Sequence, residues 1–111
     1  MNSTTTFFEE LDNRGHEPVL SRTDGTVRFD IADDDHVEHW YVTIHKGDIA
    51  VSHKRGRADA VVGLDRELAD EIFSGRTNAV ARMLRGQVHL EGDLEVMMQF
   101  QRLFPRPVRA S

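Results

Sequence analysis

The sequence predicts an α+β fold: a five-stranded, largely antiparallel sheet covered on one face by helices. Three observations carry this expectation. Between residues 25 and 64 apolar and polar side chains alternate in short runs broken by turn residues, the pattern of half-buried strands. From Asp65 onward the apolar spacing changes to the helical period, with capping residues at Asp65, Asn78 and Asp93. A single alternating run, 87–91, interrupts those helices, so the order is helix, four strands, two helices, strand, helix.

Each element follows from its residues. Thr6 before Phe7-Phe8-Glu9-Glu10-Leu11 reads as a capped helix with Phe7, Phe8 and Leu11 on one flank, ended by Gly15 and Pro18. Met1 to Thr6 has neither the positive charge nor the apolar tract of a secretory signal and reads as a ragged terminus. After the Asp24-Gly25 turn, Val27, Phe29 and Ile31 alternate with Arg28 and Asp30. The Asp33-Asp34-Asp35 run is a solvated turn, and residues 37–46 form a strand with Trp40, Val42 and Ile44 on one face and His39, Tyr41, Thr43 and His45 on the other. Gly47-Asp48 is short enough for a hairpin into a strand ending near His53, and after a turn at Lys54–Arg57 residues 58–64 form a weaker, Ala- and Gly-containing strand.

Asp65 caps a helix carrying Leu68, Ile72 and Phe73 and stopped by Gly75, and Asn78 caps a shorter one with Val80, Met83 and Leu84 on one side, ended by Gly86. Gly92-Asp93 opens the last helix, whose Leu94, Val96, Met97, Met98, Phe100, Leu103 and Phe104 occupy more than half of its circumference until Pro105 and Pro107 end it. At 111 residues the chain is the size of one domain, expected over 1–111, with no apolar run near the ~18 residues a membrane-spanning helix requires. A cytoplasmic location is the default expectation.

Composition and charge exclude several function classes. There is no cysteine, hence no disulfide framework, thiolate nucleophile or cysteine-ligated metal. Residues 1–38 hold ten acids against three bases, and residues 39–111 nine acids against eleven bases. That is not the concentrated basic stripe of a nucleic-acid binder, and Lys54-Arg55-Gly56-Arg57 alone is a solvated loop. No nucleic-acid partner is expected. The serines lack a nucleophile-elbow context, and Ser52 and His53 point to opposite faces of a strand. His39 and His45 are separated along their strand by ~20 Å, too far for one zinc ion, which leaves only a cross-hairpin pair such as His45 with His53. Asp65, Glu67, Asp70 and Glu71 stand where helix caps and solvated faces put acids, and no phosphate-binding glycine fingerprint follows a strand. The expectation is therefore no catalytic residue, no metal and no cofactor.

Apolar surface in excess remains. The last helix is too apolar for one that only caps a sheet, and Met83, Met97 and Met98 supply side chains able to adapt to ligands of different shapes. Composition alone favours a plain core over a cavity, and a face buried in a homodimer is the other competitor.

The run from Phe73 through Ser74-Gly75-Arg76-Thr77-Asn78, Arg82-Met83-Leu84-Arg85-Gly86, Val88-His89-Leu90-Glu91-Gly92-Asp93 and on to Phe100-Gln101-Arg102-Leu103-Phe104-Pro105 resembles the sterol carrier protein type 2 family, the sterol-binding or lipid-transfer domain. The Gly25-Thr26-Val27-Arg28-Phe29-Asp30-Ile31 strand and the Ala58-Asp59-Ala60 segment extend the likeness over about residues 15–105. The resemblance implies a hydrophobic tunnel between sheet and helices that takes a fatty acid, fatty acyl-CoA, sterol or phospholipid without catalysis. Its lining, carried residue by residue, would be Val80, Met83, Leu84, Leu90, Leu94, Met97 and Met98, with Phe100 and Phe104 nearer the end. A polar head group would need an Arg or a backbone donor at the mouth; Arg76, Arg82, Arg85 and Arg102 are the bases near these helices, and the sequence does not choose among them. The chain is similar to bacterial stand-alone members: its N-terminal helix is short and it ends Val108-Arg109-Ala110-Ser111, without a peroxisomal signal. Homodimerisation and transient membrane contact stay open, as does a sterol-carrier-like scaffold whose filled cavity leaves it to act through homodimer or partner-protein contacts.

Overall fold

The computed structural model describes residues 2–105. Helix α1 spans Ser3–Arg14, so the segment expected to be ragged is helical from its third residue. The cap is Asn2 instead of Thr6: its side chain accepts a hydrogen bond from the Thr5 N–H at 2.8 Å. Thr4 is fully buried because its N–H and its hydroxyl both donate to Asp70 Oδ1, at 3.1 and 2.7 Å. Gly15, at φ 70°, ends the helix, and Pro18 opens a short 3-10 turn, Pro18–Leu20, that buries Leu20 completely.

Strands β1 (Asp24–Asp33), β2 (His36–His45) and β3 (Asp48–Ser52) form an antiparallel meander. Its second hairpin turns on Lys46-Gly47, one residue before the expected pair, with both residues at positive φ as a two-residue loop of this kind demands. Strand β4 (Ala60–Asp65) returns to the free edge of β1 and pairs with it in parallel, and β5 (His89–Gly92) adds to β4 antiparallel. The order is β3-β2-β1-β4-β5. Helices α2 (Arg66–Phe73), α3 (Ala79–Leu84) and α4 (Leu94–Phe100) are capped by the side chains of Asp65, Asn78 and Asp93. The last helix is shorter than its apolar run suggests and tightens into a 3-10 turn, Gln101–Leu103. Pro107 lies outside the described residues.

Val27, Phe29 and Ile31 of β1 and Trp40, Val42 and Ile44 of β2 point to the face that the helices cover. Phe8 is the centre of that core, stacked on Trp40 at 4.6 Å between ring centroids and edge-on to Phe73 at 5.3 Å, while Phe7 stacks on Phe73 at 4.3 Å. Tyr41 faces the opposite, polar side of the sheet yet is also buried. No helix of the described residues is long and apolar enough to cross a membrane.

Candidate functional site

Small residues position the last helix. Gly25, Ala60 and Gly92 let the backbone and α4 approach closely: a Cβ on Gly25 would stand 3.0 Å from Val96, and one on Gly92 2.4 Å from the Asp59 carbonyl oxygen. The Asp59 carboxylate accepts from the Thr26 N–H at 2.8 Å and its carbonyl from the Asp93 N–H at 2.9 Å, so one residue ties β1 to the first turn of α4.

Beyond this pad lies an apolar cleft between the sheet and the C-terminal helices. Its floor is the cross-strand row Phe29, Val62 and Leu90, with Val27 and Leu64 on either side. Its walls are Ile72 and Phe73 of α2, Ala79 and Met83 of α3, Val88 just before β5, Met97, Met98 and Phe100 of α4, and Phe104. Among the described residues Gln101 is the one polar lining residue, and none of them brings an ionisable side chain to the space. The cavity volume is about 30 Å³. That admits the centres of about two water molecules and is far below the ~150 Å³ of an apolar cavity that holds benzene.

Of the nine lining residues expected from the sequence, Met83, Leu90, Met97, Met98, Phe100 and Phe104 meet around this cleft. Val80, Leu84 and Leu94 do not; they are 41, 84 and 63 % exposed. In α3 the stripe that turns toward the sheet is Ala79 with Met83, one residue round from the expected Val80 and Leu84, and α4 buries Met97 and Phe100 while Leu94 faces out. Apart from Leu90, sequence reasoning omitted the strand floor, and it omitted α2, whose residues read as ordinary core. The alternation of Val27 with Phe29 and of Val62 with Leu64 was the available signal, but only the strand order shows that they adjoin the last helix.

Elsewhere several ionisable groups are engaged in structure. Arg82 reaches Thr77, Gln87 and Glu71 at 3.0, 3.1 and 3.4 Å. Arg102 lies with Val96 and Asp24 on the far flank of α4. On the polar face of the sheet Arg28 forks onto both oxygens of Asp30, at 2.8 and 3.0 Å, and His39 Nδ1 meets the same carboxylate at 2.6 Å. Burial alone would raise the Asp30 carboxyl, but the hydrogen bonds from Arg28 and His39 outweigh it and hold the group below the usual carboxylate value. The bond to Asp30 in turn raises the Arg28 guanidinium. His45 pairs with Asp24, whereas His53 packs on Trp40 with ring centroids 4.0 Å apart, so the two histidines are not brought together. Among the described residues no group of three His, Asp or Glu side chains is placed to hold a metal ion.

The architecture recurs in solved structures. The palmitated sterol carrier protein 2-like 2 from Aedes aegypti superposes with a TM-score of 0.73 at 16% identity, covering 98% of this chain and 100% of that one. Sterol carrier protein 2 from Yarrowia lipolytica gives 0.69 at 16%, covering 90% and 84%. A stereoselective inverting sec-alkylsulfatase from Pseudomonas sp. contains the same fold, with a TM-score of 0.68 at 20% identity, over 92% of this chain and only 16% of that enzyme. No curated protein sequence matches the chain. The model of the SCP-2 sterol transfer family matches residues 6–105, and the chain belongs to that family.

Proposed function

We propose that this protein binds an apolar ligand in the cleft between its sheet and its C-terminal helices, performs no chemistry on it, and carries it through the cytoplasm. The observation that carries this reading is the lining: fourteen apolar side chains and Gln101, with no acid, base or nucleophile among them. Such a surface rewards the removal of methylenes from water and offers nothing to a reaction centre. Each buried CH2 contributes about 0.8 kcal/mol, so a ten-carbon chain gains roughly 8 kcal/mol before the cost of association. Specificity is accordingly loose, since one methylene more or less changes the balance little. The proposed contact residues are Met83, Leu90, Met97, Met98, Phe100 and Phe104, together with the floor they rest on. A fatty acid, fatty acyl-CoA, sterol or phospholipid fits this chemistry.

A cleft of about 30 Å³ must widen to take such a molecule. Met83, Met97 and Met98 have the flexible, unbranched side chains for it, and Met98 is already 51 % exposed. The same small volume favours a second reading, in which the cleft stays filled by its own side chains and the fold serves as a scaffold in a homodimer or with a partner protein.

Native mass spectrometry of protein purified from cells, followed by titration of the delipidated protein with a fluorescent fatty acid, separates the two. Carriage predicts added mass that disappears on denaturation and saturable uptake that added lipid competes away. Bare protein with no saturable uptake overturns carriage and leaves the scaffold.

A further inference from the structure

Six large apolar side chains are exposed among the described residues, and four of them stand on the two helices that wall the cleft. Val80 and Leu84 are one turn apart on α3, and Leu94 and Met98 one turn apart on α4, so each pair shares a helix face. Single exposed apolar residues are ordinary; two pairs beside one opening form a patch. Met98 belongs to both patch and cleft, which makes the two surfaces continuous.

The charge around this rim differs from the rest of the molecule. The chain carries net charge −5, yet residues 72–90 contain no Asp or Glu and hold Arg76, Arg82 and Arg85. Arg82 is held by Glu71, whereas Arg76 and Arg85 are exposed and make no ion pair with the described residues. On α4 the acid Glu95 lies on the flank shared with Val96 and Asp24, away from the cleft. Helix α1 has the opposite character: its exposed Glu9, Glu10 and Asp12 would be repelled by a negative surface.

From this arrangement, and resting on the carrier reading above, we infer that the α3–α4 rim docks on an anionic phospholipid bilayer. Val80 and Leu84 enter the boundary between head groups and acyl chains, Arg76 and Arg85 meet the lipid phosphates, and the cleft then faces hydrocarbon at Met98. An apolar ligand so placed moves between bilayer and cleft without crossing water. A second copy of the chain would cover the grease equally well but would set Arg76 and Arg85 of both copies near one another, and it gives the basic band no counterpart.

The test is flotation of the full chain with vesicles of phosphatidylcholine alone and of phosphatidylcholine mixed with phosphatidylglycerol, at low and high salt. Docking predicts tighter binding to the anionic vesicles, weakened by salt, lowered about fivefold by each of Arg76→Ala and Arg85→Ala, and at least tenfold by Leu84→Asp. The same variants should keep the wild-type urea midpoint and the wild-type uptake of fluorescent fatty acid in vesicle-free buffer. Equal binding to both vesicle types, no binding, or binding indifferent to these substitutions overturns the docking surface. So does a concentration-dependent dimer that Leu84→Asp dissociates while vesicles recruit nothing. Loss of vesicle-free uptake in the wild type is a separate result and counts against carriage itself.

Discussion

The close approach at the start of α4 allows steric and conformational costs to be measured apart, with Gly86 as the control for Gly92. Both glycines have positive φ, 74° and 94°. A Cβ on Gly86 meets nothing within 4 Å, whereas one on Gly92 stands 2.4 Å from the Asp59 oxygen and 2.9 Å from Ala60 Cα, both backbone atoms of a central strand and its lead-in. Gly86→Ala therefore bears only the strain of a left-handed L-residue, about 1–2 kcal/mol. Gly92→Ala bears comparable strain plus overpacking of about 1–3 kcal/mol, hence ~2–5 kcal/mol in all. The entropy that alanine removes from the unfolded chain is common to both and cancels in the difference. The assay is urea unfolding followed by the single tryptophan, Trp40, whose ring stacks on Phe8 in the core. A drop in the thermal midpoint of roughly 10 °C or more should accompany Gly92→Ala. Two variants whose unfolding free energies agree within about 0.5 kcal/mol, the usual additivity error, would refute the steric argument.

Asp70→Ala removes the acceptor for both Thr4 groups and leaves them buried without a partner, so about 1–3 kcal/mol of stability should be lost, with faster hydrogen exchange over α1; unchanged protection of residues 3–14 would count against that anchor. The folded Asp30 carboxyl lies below its unfolded value, so its contribution to stability is complete above the unfolded pKa of ~3.9 and disappears as the pH falls through the folded one. Asp30→Asn should flatten that acid limb in urea midpoints taken at a series of pH values, and an unaltered limb would show that other carboxylates govern it. Ala79→Trp places a ring in the wall of a cleft of about 30 Å³ and should abolish fatty-acid uptake while the protein still unfolds cooperatively; undiminished uptake would move the ligand elsewhere.

What the chain discloses before folding is mainly local. The alternation of Val27, Phe29 and Ile31, and of Trp40, Val42 and Ile44, depends on the two-residue period of a strand, and the caps at Asp65, Asn78 and Asp93 on a side chain bonding its own helix. The start of α1 was missed because Thr4 owes its place to Asp70, 66 residues away, which no window on the sequence contains. The parallel pairing of β4 with β1 is equally non-local. Within the site, Met97 and Phe100 are legible because a crowded apolar helix must bury something, but a six-residue helix such as α3 leaves its rotation undetermined, and Ala79 takes the inward position expected of Val80. Tyr41 lies on the face that alternation assigns it, but its burial there is not legible, since alternation assigns a side and not what covers it.

The parallel pairing divides the labour of the molecule. Helix α1 with β2 and β3 packs through Phe8, Leu11, Trp40, Ile44 and Ile49 and meets α2 at Phe73, whereas most of the cleft wall comes from residues 62–104 laid later along the free edge of β1. Breathing of α3 and α4 can thus proceed while the Phe8–Trp40 stack stays shut, and their amides should exchange with solvent through subglobal openings of smaller free energy than those of β1 and β2. A pliant half hinged on a stiff half is the mechanical requirement for admitting a guest without melting the host.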